Sequence, residues 1–124
     1  MSCILVVDDE PALRRTLRAM LEKAGHTVME AGDGDQAVAV FKERPVDLVL
    51  TDIIMPNREG IETLGALRRL DAEVPIIAMS GGGSKGGELF LTLASQLGAT
   101  QTLAKPIRQA DLVDAVEVCL AGEV

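Results

Sequence analysis

Two kinds of apolar pattern alternate along the chain. Cys3-Ile4-Leu5-Val6-Val7 is a short unbroken run rich in β-branched residues, and the runs 47–51 and 74–79 resemble it. Runs of this length suit strands covered on both faces, as in a parallel sheet. The segments 26–30 and 100–104 are weaker and more polar, which predicts edge strands. Between these runs the period changes. Leu13, Leu17, Met20 and Leu21 recur at helical spacing, with Arg14, Arg15, Arg18 and Glu22 on the opposite face. Pro11 fits the first turn of that helix, where its missing N–H costs nothing, and Gly25 fits its C-terminal cap. Asp33-Gly34 opens a second helix running through Phe41; 59–70, 88–97 and 109–120 read as a third, fourth and fifth.

Strand then helix, five times over, predicts an α/β fold with helices on both faces of a parallel sheet, because crossovers between parallel strands are right-handed. The expected form is a doubly wound five-stranded sheet in the order 2-1-3-4-5, a flavodoxin-like (βα)5 arrangement. The 124 residues are all spent on it, so one domain spanning 1–124 with no output domain attached is the expectation.

Composition narrows the function. The chain carries 12 basic and 19 acidic side chains, a net charge of −7, and neither Trp nor Tyr. Direct nucleic-acid binding needs a basic stripe or aromatic stacking platforms, and neither is present. No apolar run approaches the roughly 20 residues of a membrane span. No charged-then-apolar leader precedes the first strand, which predicts a cytoplasmic protein. Cys3 and Cys119 form no CxxC pair and read as two buried thiols in a reducing compartment.

In an open parallel sheet, ligands bind outside the carboxyl ends of the strands. Strand 1 there ends in Asp8-Asp9-Glu10, strand 3 in Asp52, strand 4 in Ser80 and strand 5 in Lys105-Pro106; strand 2 ends in Glu30-Ala31-Gly32. Each has an ordinary reading alone: Asp9 or Glu10 as a helix cap, Ser80 as a turn residue, Lys105 as a solvated loop side chain. Their convergence on one edge is what marks a site. Asp8, Asp9 and Asp52 would repel one another unless a cation joined them. With only oxygen donors present, a hard ion such as Mg²⁺ is selected. Mg²⁺, a lysine ammonium and a hydroxyl are what a transferring phosphoryl group requires, and a carboxylate can be its acceptor. Asp52 is the best acceptor candidate, because adjacent Asp8 and Asp9 suit the metal.

At these residues the sequence resembles the response-regulator receiver domain of two-component signalling. The resemblance rests on Val6-Val7-Asp8-Asp9-Glu10-Pro11, Asp52-Ile53-Ile54-Met55-Pro56 through Gly60, Met79-Ser80-Gly81 and Leu103-Ala104-Lys105-Pro106. It implies that Asp52 accepts phosphate from the phosphohistidine of a sensor histidine kinase or histidine phosphotransfer protein. It implies that Asp8, Asp9, Asp52 and the backbone carbonyl of Ile54 arrange Mg²⁺, that Ser80 and Lys105 contact the phosphoryl oxygens, and that the Lys105–Pro106 bond is cis. The protein is then no enzyme beyond catalysing its own phosphorylation and dephosphorylation. Its signal leaves through helix 4, strand 5 and helix 5 to a downstream partner, with Arg14, Arg15 and Arg18 of helix 1 as a face for the kinase.

Three departures bear on mechanism. Receivers usually carry Tyr or Phe three residues before the lysine; Thr102 stands there, so no aromatic rotation can report phosphorylation through strand 5. The two positions that in the family often govern water access correspond to Ile54 and Gly82, which cannot orient water and predict slow self-hydrolysis. The loop 81–87 holds five of the twelve glycines and is expected to tighten when Ser80 engages the phosphoryl group.

Competing assignments are weaker. Gly81-Gly82-Gly83-Ser84-Lys85-Gly86 satisfies a dinucleotide-loop pattern but lies in the fourth βα unit, with no acidic residue ending the next strand. His26, the sole histidine, reads as a surface residue. The alternative function is a small Mg²⁺-dependent phosphatase or phosphotransferase working through the same aspartyl phosphate. Against it, the nucleophile follows the third strand rather than the first, and no length remains for a cap.

Overall fold

A computed structural model describes residues 2–52, 59–81, 92, 95–96 and 98–121. Five strands, β1 (Cys3–Val7), β2 (Thr27–Ala31), β3 (Leu48–Asp52), β4 (Ile76–Gly81) and β5 (Gln101–Lys105), pair in parallel in the expected order β2-β1-β3-β4-β5. Helices α1 (Pro11–Lys23), α2 (Gly34–Glu43), α3 (Glu59–Leu70) and α4 (Gln109–Ala121) connect or follow them; α4 is the fifth helix of the sequence pattern. The fourth predicted helix, 88–97, falls largely outside the described residues, as do Gly82 through Gly87.

Strand side chains alternate between faces, so one sheet feeds two cores. Leu5, Val7, Val49, Ile76 and Ala78 bury one face against Ala37 of α2 and Leu64 and Leu67 of α3. Ile4, Val6, Leu48, Leu50, Ile77 and Met79 bury the other against Leu17 and Leu21 of α1 and Leu112, Val116 and Cys119 of α4. Coverage on both sides is why the central strands read as unbroken apolar runs. The outer strands are only partly buried, matching their more polar sequences.

Pro11 opens α1 and Gly25, at φ +97°, follows its C-terminal cap. Asp33 caps α2 by accepting from the Gln36 amide at 2.8 Å. Glu10 stands at the N-cap position of α1 without a side-chain hydrogen bond, and His26 is half-buried with Nδ1 shielded from solvent. Cys119 is buried as expected, whereas Cys3 is only half-buried.

Four strands run one or two residues further toward their carboxyl ends than their apolar runs. Asp52, Ser80 and Lys105 therefore lie inside strands, not in the loops after them. The ladder continues through polar residues because backbone pairing, unlike apolar burial, does not depend on the side chain. These three residues are thereby set in paired positions of the sheet ladder itself.

Candidate functional site: an acidic pocket bridged by a lysine

The carboxyl ends of β1 and β3 bring Asp8 and Asp52 together beneath the end of β5. Lys105 Nζ donates to Asp52 Oδ2 at 3.0 Å and to Asp8 Oδ2 at 3.2 Å. Both carboxylates are buried, Asp8 completely, while the lysine side chain keeps 19% exposure. Burial opposes the charge on Lys105, but the hydrogen bonds and negative charges of Asp52 and Asp8 outweigh it and raise its pKa above the ordinary lysine value. The ammonium therefore stays charged at neutral pH.

Asp9 completes the cluster from the exposed side. One carboxylate oxygen each from Asp8, Asp9 and Asp52 lies within 4.8 Å of the others. Three hard oxygen donors at that spacing, one of them open to solvent, fit a Mg²⁺-type cation. The sequence-predicted fourth donor, the Ile54 carbonyl, lies outside the described residues. Ser80, completely buried on β4, has a hydroxyl with no hydrogen-bond partner among the described residues. A buried hydroxyl is normally satisfied, so an unpaired one at this edge is a donor in reserve. Lys105–Pro106 is cis, as the resemblance implied.

Asp8 is held at every polar atom. Its N–H donates to the Ala31 carbonyl at 3.2 Å, and its Oδ1 accepts from the Glu10 amide at 2.9 Å. Its carbonyl accepts from Arg14 Nη1 at 2.7 Å. The Arg14 contact corrects the expectation that this arginine faces solvent as part of a kinase surface. Arg14 Nε also meets Glu30 Oε1 at 3.0 Å, and Arg18 Nη1 meets Glu30 Oε2 at 3.0 Å. Of the three arginines Arg14 is the one drawn in, its side chain 19% exposed, whereas Arg18 keeps 43% and Arg15 is exposed. The missed signal was Glu30 itself: an acid near the carboxyl end of the strand beside β1, aligned with Val6, in reach of the first turns of α1.

Glu30 gives a pH test. Its hydrogen bond from Arg18, aided by Arg14, holds its carboxyl below the usual carboxylate range against the opposing cost of burial. A depressed folded-state pKa contributes stability above the ordinary carboxylate value, and that stability is lost as pH falls through the depressed one. Thermal melts should thus show wild type above Glu30→Gln at pH 7, with the gap closing below about pH 4.

Residues 4–117 match the response regulator receiver domain family. The chain belongs to that family. Response regulator receivers are signalling domains of two-component systems, not conventional enzymes. The transcriptional regulatory protein CpxR of Escherichia coli is 38% identical over 120 residues, covering 97% of this chain and 50% of CpxR. This receiver thus spans about half the length of the first curated relatives it matches. Protein PilH of Pseudomonas aeruginosa is 36% identical over 125 residues, covering 98% of this chain and 100% of PilH. Among solved structures, a response regulator receiver domain protein from Clostridium thermocellum superposes with a TM-score of 0.90 at 27% identity, covering 99% of this chain and 97% of that one. Among the described residues no helix is long and apolar enough to cross a membrane.

Proposed function

We propose that the domain takes a phosphoryl group onto Asp52 from the phosphohistidine of a sensor kinase or phosphotransfer protein, with Mg²⁺ held by Asp8, Asp9 and Asp52. The observation that carries this reading is Lys105 set between two buried carboxylates, one of them completing an oxygen-only cluster. Bound there, Mg²⁺ supplies charge neutralisation for the phosphoryl oxygens.

The chain's own groups do the rest. An Asp52 carboxylate oxygen attacks phosphorus; the new O–P bond forms as the N–P bond of the donor breaks, and the imidazole nitrogen keeps the electron pair. Lys105, with its long stem and partial exposure, turns an N–H from the carboxylates to a phosphoryl oxygen. The Ser80 hydroxyl gives its unused hydrogen bond to another. The product replaces one negative charge by about two, so the grip on Lys105 and Ser80 changes on phosphorylation.

Two surfaces suit partners. A hollow against α1, lined by Ala12, Arg15, Thr16, Met20, Lys23 and Gln109, offers the cations that remain exposed there for the phosphodonor. Beside β5, Thr102, Ala104, Ile107, Arg108 and Asp111 line a hollow of about 440 Å³ against α4, where a downstream partner reads the state of Lys105, the residue that follows Ala104 on the same strand. With threonine at position 102, the readout runs through backbone and loop movement at β5.

The test is incubation with Mg²⁺ and a small acyl phosphate. One phosphoryl group per chain should accumulate and be absent in Asp52→Asn. Labelling that persists in Asp52→Asn, or catalytic release of phosphate from organic esters, would overturn the reading in favour of another acceptor or of a phosphatase.

A further inference from the structure

Asp9 is exposed, and among the described residues its carboxylate has no hydrogen-bond partner. Among the described residues, only its own backbone positions that carboxylate. The peptide plane that fixes it is shared with Asp8: the Asp8 carbonyl and the Asp9 nitrogen belong to one rigid unit. That carbonyl is the group Arg14 grips at 2.7 Å. Rotating the plane would release the hydrogen bond and swing the Asp9 side chain.

The grip is built from two segments, α1 and the carboxyl end of β2. Glu30, on β2, pins the Arg14 guanidinium through Nε and is itself steadied by Arg18. Gly32 leaves the space: a β-carbon there would lie 3.2 Å from Arg14 Nη1, closer than ordinary van der Waals contact. The planar fork of the guanidinium serves a carboxylate and a carbonyl at once.

We propose that Arg14, held by Glu30 and accommodated by Gly32, is a positioning residue for the cation site, keeping the Asp8–Asp9 peptide oriented so that Asp9 stays within reach of Asp8 and Asp52. The proposal rests on the reading of that cluster as a Mg²⁺ site. Second-sphere contacts that orient ligands commonly alter metal affinity by one to two orders of magnitude.

The sign of the effect separates positioning from charge. Arg14 is a cation close to an acidic cluster, so its field alone disfavours a second cation. Removing it would then tighten Mg²⁺ binding; loss of positioning would weaken it. The measurement is calorimetric titration of the full chain with MgCl₂, together with thermal melts in EDTA, because a protein without Trp or Tyr offers little intrinsic fluorescence. Arg14→Met should weaken Mg²⁺ binding about tenfold, while Arg15→Met, a charge-removal control on the exposed face, leaves it unchanged. Should Arg14→Met fail to fold, Arg14→Lys carries the test. It keeps the charge but cannot span Glu30 and the Asp8 carbonyl together, and a several-fold weakening is expected.

Unchanged or tighter binding in either variant overturns the positioning role, and slowed phosphotransfer at unchanged affinity would return Arg14 to a docking function. A wild type that takes up no Mg²⁺ overturns the cation reading itself, and the proposal with it.

Discussion

Lys105→Met is expected to lower the melting temperature in EDTA by about 15 °C and, at the same time, to strengthen Mg²⁺ binding. The ammonium is the partner shared by Asp52 at 3.0 Å and Asp8 at 3.2 Å, both carboxylates buried. Removing one partner of a buried ion pair leaves an uncompensated charge and costs about 3–5 kcal/mol. Here two carboxylates are stranded together, so the upper part of that range applies, and methionine preserves only the packing of the stem. The same repulsion favours any cation that enters, and Lys105 no longer competes for the Oδ2 atoms. Saturating Mg²⁺ should therefore recover more of the melting temperature in the variant than it adds to wild type. Melts with and without MgCl₂ measure both effects. Equal Mg²⁺ increments in the two proteins would show that Lys105 does not share the carboxylates with the cation. The contrast with Arg14 is informative, since both substitutions remove a positive charge near Asp8. Lys105 touches the carboxylate oxygens, so its loss frees them; Arg14 touches a backbone carbonyl, so its loss disorders them.

The second large effect lies at the opposite end of the sheet. Arg68, near the C-terminus of α3, donates through Nε and Nη2 to the Gly98 carbonyl at 2.9 and 2.7 Å, and through Nη1 to the Val74 carbonyl at 2.6 Å. Weaker contacts reach the Asp71 carbonyl and the hydroxyl of Thr100, which also accepts from the Ile76 amide at 3.1 Å. One side chain thus ties the end of a helix to the entries of β4 and β5. Burial pulls its pKa down, with Asp71 acting the other way, yet an arginine remains charged and its hydrogen bonds remain strong. Loss of hydrogen bonds from a charged donor costs about 1.5–3 kcal/mol each where the acceptor is buried, and water will satisfy some of the freed carbonyls. Arg68→Met should lose about 3 kcal/mol, or roughly 10 °C in melting temperature. Its Mg²⁺ affinity should match wild type, because nothing in this bracket touches Asp8, Asp9 or Asp52. A parallel loss of Mg²⁺ binding would show that the two ends of the sheet are mechanically coupled; an unchanged melting temperature would remove the structural role.

Arg68 and Arg14 also mark where reading the chain stops. Both occupy helical positions that periodicity alone assigns to a solvated polar face. Neither partner set could be located without knowing which strand lies beside which: Glu30 is 16 residues from Arg14, and Gly98 is 30 residues from Arg68. His26 shows the same limit in the opposite direction, a polar residue beside a strand that the packing half buries. The candidate site was more accessible to sequence. Once the apolar runs are assigned to parallel strands, topology requires their carboxyl ends to share an edge, and Asp8, Asp9, Asp52, Ser80 and Lys105 follow by counting to the end of each run.

The chain's order of apolar and polar residues thus determined by itself the strand and helix succession, the doubly wound sheet and the residues at its carboxyl edge, because burial on two faces leaves a local imprint on every strand. Tertiary structure alone decided that Lys105 bridges Asp8 and Asp52, that Ser80 is left without a partner among the described residues, and that Arg14 turns inward to Glu30 and the Asp8 carbonyl. Those outcomes depend on ångström-scale distances between distant segments, and a long polar side chain carries no local mark of whether it meets water or a partner.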